Sequence, residues 1–196
     1  MKKKETLKLP TTSYVILGLL TFREMSGYDL KLLADRSIKD FYWSPTKSQI
    51  YGELRRLESH GLVTMREVIQ ERRPDKRIYT ITPAGRAAMQ QWLARTEVKP
   101  DTYKSQLLLK LFFGHLVSSQ HLITLVEERQ QELKTSLERS KDQLQDLQDQ
   151  SQDLLTEKDG VFPLLTLQHT MAKAQADLAW VETTLQTLKQ RQSKTS

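Results

Sequence analysis

The stretch from Gly61 to Gly85 constrains this chain more than any other. Two strand-like runs, Leu62 to Ile69 and Ile78 to Thr82, flank the basic turn Glu71-Arg72-Arg73-Pro74-Asp75-Lys76-Arg77, and Thr82-Pro83-Ala84-Gly85 then opens a helix at once. Short runs rich in Val, Ile, Thr and Tyr and separated by turn residues predict a hairpin. A Thr before a Pro predicts a capped helix start. A hairpin with a cationic tip, placed directly after a helix, outlines a winged helix-turn-helix and points to a polyanionic partner.

The residues before the hairpin fill in the rest of that outline. Tyr14-Val15-Ile16-Leu17-Gly18-Leu19-Leu20 is apolar all round, as suits a first helix buried among others. Ser26-Gly27-Tyr28-Asp29 has the form of a capping box, and Leu30, Leu33 and Ala34 supply one apolar face for a second helix ending near Ile38. After Phe41-Tyr42-Trp43, Ser44-Pro45 reads as cap and first position of a third helix, which Gly61 stops. The fourth, from Pro83 to about Arg95, places Ala84, Ala88, Met89 and Trp92 on one side, and Lys99-Pro100-Asp101 breaks the pattern.

Charge follows the same division. Residues 1–100 hold 19 Lys and Arg against 11 Asp and Glu, whereas residues 101–196 hold 11 against 13. The basic half is the one suited to nucleic acid. It also carries Lys2, Lys3, Lys4 and Lys8, a short basic arm.

Beyond the break the texture is helical. Leu107-Leu108-Leu109 with Leu111, Phe112, Phe113 and Leu116 form a dense apolar helix. A long helix from Leu122 to Leu154, starting near Ser118-Ser119, then spans about 50 Å; its seam runs through Leu122, Val126, Arg129, Leu133, Leu137, Ser140, Leu144, Leu147, Ser151 and Leu154. Gly160 and Pro163 mark a turn. In the last helix Leu164, Leu167, Met171, Ala174, Leu178, Val181, Leu185 and Leu188 alternate steps of three and four, a coiled-coil pattern expected to form a dimer interface. A second stripe, Leu165, His169, Ala172, Ala176 and Trp180, needs another partner.

On a helical wheel Ile50, Leu54 and Leu57 of the third helix share one side and face the core. The outward side therefore presents Ser48, Gly52, Arg55 and Ser59, flanked by Lys47, Gln49 and Tyr51. Arg reads guanine in two bonds, Gln reads adenine, and Ser or Tyr holds phosphate. Gly52 in an exposed helix costs about 1 kcal/mol relative to Ala, which fits a backbone that must approach a groove closely. Arg72, Arg73, Lys76 and Arg77 at the hairpin tip face solvent or phosphate and supply grip without sequence choice.

These residues together resemble the PadR family of bacterial transcriptional regulators. The resemblance rests on Tyr14 to Leu20, Ser26-Gly27-Tyr28-Asp29-Leu30, Phe41-Tyr42-Trp43-Ser44, Ser48-Gln49-Ile50-Tyr51, Leu54-Arg55-Arg56-Leu57, His60-Gly61-Leu62-Val63, Arg77 to Thr82 and Gly85. The length of the C-terminal half is similar to the subclass of phenolic-acid-responsive repressors and virulence activators. It implies a mainly α protein: a winged helix-turn-helix DNA-binding domain with a small β-hairpin wing over residues 1–98, and an all-helical dimerisation and effector domain over 99–196. It further implies a homodimer on palindromic double-stranded DNA, repression, and release by a phenolic or other aromatic acid. Half-sites about 34 Å apart would place the two third helices in successive major grooves.

For the effector, His169 and Trp180 are candidates, a His to orient a carboxylate and a Trp to stack on a ring, with Lys110 and His115 on the apolar helix before them. Catalysis finds no support. The glycines form no phosphate loop, no nucleophile elbow is present, and His60, His115, His121 and His169 lack metal-ligand spacing, so neither cofactor nor metal is expected. With no cysteine and no apolar run of membrane-spanning length, the chain reads as cytoplasmic with no membrane partner. The alternative is a protein-interaction scaffold, which an absence of retention on random duplex DNA at low salt would favour.

Overall fold

The computed structural model describes residues 9–39, 41–69, 76–98, 104–148 and 161–195. The chain divides into two compact units, residues 1–99 and 100–196.

In the first unit, α1 (Thr11–Leu20) buries Tyr14, Ile16, Leu17, Leu19 and Leu20, as its all-round apolar composition requires. α2 (Gly27–Ser37) begins in the expected capping box. The Ser26 hydroxyl accepts from the Asp29 N–H, and the Asp29 carboxylate accepts from the Ser26 N–H at 3.2 Å.

The third helix, α3 (Lys47–Ser59), starts two residues later than the Ser-Pro reading places it. Thr46 is the cap and Gln49 completes a second box, its Oε1 accepting from the Thr46 N–H at 2.8 Å. Pro45 is buried, while Ser44 is tied back to α2 by donating to Asp35 at 2.6 Å and accepting from the Lys31 ammonium at 3.1 Å. Ile50, Leu54 and Leu57 are fully buried, each contributing about 1.5–3 kcal/mol by leaving water. A buried hydroxyl also joins α1 to α3, since Ser13 donates to Glu53 at 2.5 Å.

Gly61 ends α3 with φ +67°, a left-handed position that suits glycine. The Leu62 N–H reaches back to the Leu57 carbonyl at 2.9 Å and the Gly61 N–H to that of Glu58 at 2.9 Å. The hairpin strands follow as β2 (Val63–Val68) and β3 (Lys76–Ile81), paired antiparallel from Val63 opposite Ile81 to Val68 opposite Lys76. A third strand, absent from the sequence reading, is β1 (Met25–Ser26). It pairs with β3 through Met25 opposite Tyr79 and Ser26 opposite Ile78, so the sheet order is β1-β3-β2.

α4 (Pro83–Leu93), capped by Thr82, lies back on α1, where Trp92 stacks on Tyr14 with ring centres 4.7 Å apart. Ala88 and Met89 are half-buried beside it, but Ala84 is exposed, and Gly85 takes the buried place in that turn.

The second unit opens with α5 (Gln106–Phe112), shorter than expected because a 3-10 turn takes over at Gly114–Leu116. α6 (Ser119–Gln148) is the long helix, and α7 (Val161–Thr195) packs along it. Pro163, expected in a turn, sits in the first turn of α7, where no N–H is missed. The α6 seam is buried or half-buried from Leu122 to Leu144; the Leu147 side chain, Ser151 and Leu154 lie outside what the structure describes.

One expectation changes. Val181 and Leu185 are buried against Ile123, Val126 and Leu133 of α6, with Leu178 and Leu188 partly buried at the edge. Leu167 and Ala174 are buried on the same face, and Leu164 and Met171 are half-buried. The seam expected between copies is thus filled within one chain: heptad spacing marks a face for burial without naming what covers it.

Candidate nucleic-acid interface

Burying Ile50, Leu54 and Leu57 turns the opposite side of α3 outward, and Lys47, Ser48, Gln49, Arg55 and Ser59 are all exposed there. Among the described residues Arg55 and Ser48 make no hydrogen bond or ion pair, so both heads are open to a partner. Among the described residues nothing outside its own helix lies within 4 Å of where a Gly52 side chain would stand, so this glycine serves no packing need there.

Other members of the expected face are partly committed. Gln49 uses one lone pair of its carbonyl on the Thr46 cap, which holds its head group at the first turn of α3, while the second lone pair and both amide N–H groups stay unspent. Ser59 donates to the Arg56 carbonyl at 2.8 Å. Tyr51 packs over the start of α2, its ring carbons 2.6–2.7 Å from where a Cβ on Gly27 would sit.

The hairpin cations also divide. Arg72 and Arg73 lie outside the described residues, as do Lys2, Lys3, Lys4 and Lys8. Lys76 and Arg77 both reach solvent, with side chains 40% and 61% exposed, and each also pairs within the chain. Lys76 contacts Asp29 at 2.9 Å and Arg77 contacts Glu67 at 3.2 Å across the hairpin. The reason is geometric, since β1 brings the α2 capping acid beside the first residue of β3. Arg66 on β2, which the sequence reading passed over, bonds Glu24, and Thr80 donates to the same carboxylate at 3.2 Å. The Arg66 guanidinium is the main cause of a lowered Glu24 pKa.

Tyr28 was also missed. It is 53 % exposed, and the Lys47 ammonium lies 5.3 Å from its ring centre, a cation–π contact at the entry to α3. The signal was available: Tyr28 lies about 200° from Leu30 on the α2 wheel, opposite the buried face.

Burial pushes the Asp29 carboxyl up, but the bonds from Ser26 and Lys76 outweigh it and hold the group below the ordinary carboxylate range. Lys31, helped by Ser44, does the same for Asp35. A carboxyl depressed on folding adds stability that is complete above its unfolded pKa and is lost as pH falls below about 4. Asp29→Asn is therefore expected to lower the melting temperature at pH 7 and to converge with the parent as pH approaches 3. A difference that stays constant across that range would assign the loss to something other than this charge.

In the second unit Lys110 and Trp180 line a common cleft between α5, α6 and α7, whereas His115 and His169 are exposed and do not line it. Among the described residues no cluster of His, Asp or Glu has the form of a metal site, and no helix is long and apolar enough to cross a membrane.

Residues 16–91 match the model of the Transcriptional regulator PadR-like family, and residues 103–189 match that of the virulence activator alpha C-terminal region. The chain is 36% identical over 124 residues to the negative transcriptional regulator PadR of Bacillus subtilis, a span covering 63% of this chain and 68% of that one. Among solved structures it is similar to Bacillus subtilis PadR in complex with operator DNA, with 29% identity, a TM-score of 0.77, and coverage of 91% of this chain and 99% of that one. It is likewise similar to Bacillus subtilis PadR in complex with p-coumaric acid, with 28% identity, a TM-score of 0.71, and coverage of 93% and 98%.

Proposed function

The chain belongs to the PadR-like family of transcriptional regulators, and from that premise we propose that it is a cytoplasmic, sequence-specific DNA-binding repressor. It acts as a homodimer on a palindromic operator, and an aromatic acid releases it. Its work is binding, with no catalytic step. The observation that carries the reading is the outward face of α3, where Ser48, Gly52 and Arg55 stand open opposite a fully buried side. The relative solved on operator DNA supports the partner, and the one solved with p-coumaric acid supports the effector class.

Within this reading Arg55 and Ser48 read or anchor DNA, Lys47 and Tyr51 flank them, and Arg72 and Arg73 grip phosphate. Lys76 and Arg77 add to that grip, since their exposed ion pairs with Asp29 and Glu67 are weak enough to be exchanged for phosphate. The contact between copies belongs to the outer side of α7, where Phe162, Leu165, His169, Ala172 and Ala176 are exposed once the heptad seam is occupied by α6.

Gly52→Ala tests the reading in one protein. The methyl meets open space, so helix propensity alone is expected to stabilise the fold by about 1 kcal/mol. The same methyl stands on the DNA-facing side, so affinity for DNA upstream of its own gene is expected to fall about tenfold or more. A variant that is more stable and binds DNA unchanged would move the interface off this face. Arg55→Ala is expected to cost about 1–3 kcal/mol on the preferred sequence and little on random duplex.

A further inference from the structure

We propose that Tyr28 is a positioning residue for DNA binding, its ring holding the Lys47 ammonium where it meets a backbone phosphate. This rests on the reading of α3 as the DNA-facing helix and adds to it a residue of α2. Lys47 is the first residue of α3, and its Nζ lies 5.3 Å from the centre of the Tyr28 ring, inside the range at which a cation is drawn to an aromatic face. Among the described residues neither side chain makes a hydrogen bond or ion pair.

The fold itself gains little from either residue. The first turn of α3 holds no acid, and an ammonium at that end opposes the helix dipole. Tyr28 is 53 % exposed and turns away from the buried face of α2, so its ring fills no core. A ring also restrains a cation differently from a carboxylate. Lys76 and Arg77 are held by Asp29 and Glu67 and must exchange those acids to take a phosphate. Tyr28 limits the wandering of the Lys47 stem yet leaves its charge and its N–H donors available. A long side chain ordered beforehand gives up less freedom on binding.

The support is fixed in turn. Ser26 and Asp29 box the first turn of α2 on either side of Tyr28, and β1 joins that turn to β3. The same turn meets α3 again where the Tyr51 ring lies over Gly27. In a helix-turn-helix the start of the recognition helix enters the groove while the helix before it crosses the backbone. A cation held between the two stands where the phosphates run.

Affinity of the full chain for DNA from upstream of its gene, measured over a range of salt concentrations, tests the assignment. Lys47→Gln removes a phosphate contact from each chain, so for a dimer the slope of log K against log salt is expected to become shallower by about 2. Tyr28→Leu is expected to weaken binding about fivefold or more and to flatten the slope in the same direction. Tyr28→Phe keeps the ring and is expected to restore most of the loss. Added to Lys47→Gln, Tyr28→Leu is expected to cost no more than about twofold further, because the two residues act as one unit.

A loss from Tyr28→Leu that is equally large with and without Lys47 overturns the proposal, since support of the fold alone would weaken both backgrounds alike. A loss from Tyr28→Phe as large as that from Tyr28→Leu also overturns it, by assigning the effect to the hydroxyl. If the parent binds and Tyr28→Leu binds equally well, the positioning role falls while the DNA-binding reading stands. If the parent retains neither this DNA nor random duplex at low salt, the DNA-binding reading falls and takes the positioning role with it.

Discussion

Gly85→Ala is expected to destabilise the first unit by about 3 kcal/mol or more, at the upper end of what overpacking costs. The new methyl would stand 2.1 Å from the Leu62 carbonyl oxygen and 2.8 Å from Cγ1 of Ile81. Neither neighbour is a loose side-chain end. The Leu62 carbonyl accepts the Thr82 N–H at 3.0 Å, and Thr82 in turn donates its hydroxyl to the Gly61 carbonyl at 2.8 Å and accepts from the Gly85 N–H at 3.0 Å. Relieving the clash breaks at least one of these bonds, adding about 1 kcal/mol. In a unit of this size each kcal/mol moves the melting temperature by about 4–8 °C, so calorimetry should show a drop of more than 10 °C by this scaling. A drop of a few degrees would mean that the hairpin shifts freely against α4.

Val181→Asp is expected to cost about 3–5 kcal/mol and to unravel the α6–α7 pair. Val181 is fully buried in the cluster with Ile123, Val126, Leu133 and Leu185, where an aspartate finds no cation among the cluster's residues. Leu178→Glu, at the partly buried edge, follows with a smaller loss. Both act inside one chain, so helicity by circular dichroism should fall along with any association. Leu165→Glu is the contrasting variant. Its side chain is 56 % exposed, so helicity should hold while sedimentation shows monomers. If Val181→Asp keeps its helicity and only dissociates, the seam joins two copies after all.

Elements with local causes can be read along the chain, and those that depend on distant contacts cannot. Ile50, Leu54 and Leu57 repeat at helical spacing, so the buried side of α3, and by subtraction its open side, follows from local order. The Thr46 cap was equally legible, because Thr46-Lys47-Ser48-Gln49 is a capping box. Ser44-Pro45 matched a simpler cap two residues earlier and drew the start too far back. β1 was not legible: two residues carry no alternation, and its pairing with β3 depends on the whole unit being folded. The Lys76 to Asp29 contact shares that origin, joining groups far apart in the chain. For the last helix the period showed a face that must be buried, but both α6 and a second copy would satisfy it.

The two-residue strand β1 has a consequence for the thermodynamics of operator search. It ties the start of α2 to β3 by backbone bonds, with Lys76 and Asp29 reinforcing the joint, so the helix-turn-helix and the wing base are braced before DNA arrives. A head ordered in advance gives up little conformational freedom on docking. Encounter with any duplex then requires little rearrangement of this part, and the free-energy gap between operator and random sequence must arise from base contacts left unmade rather than from refolding.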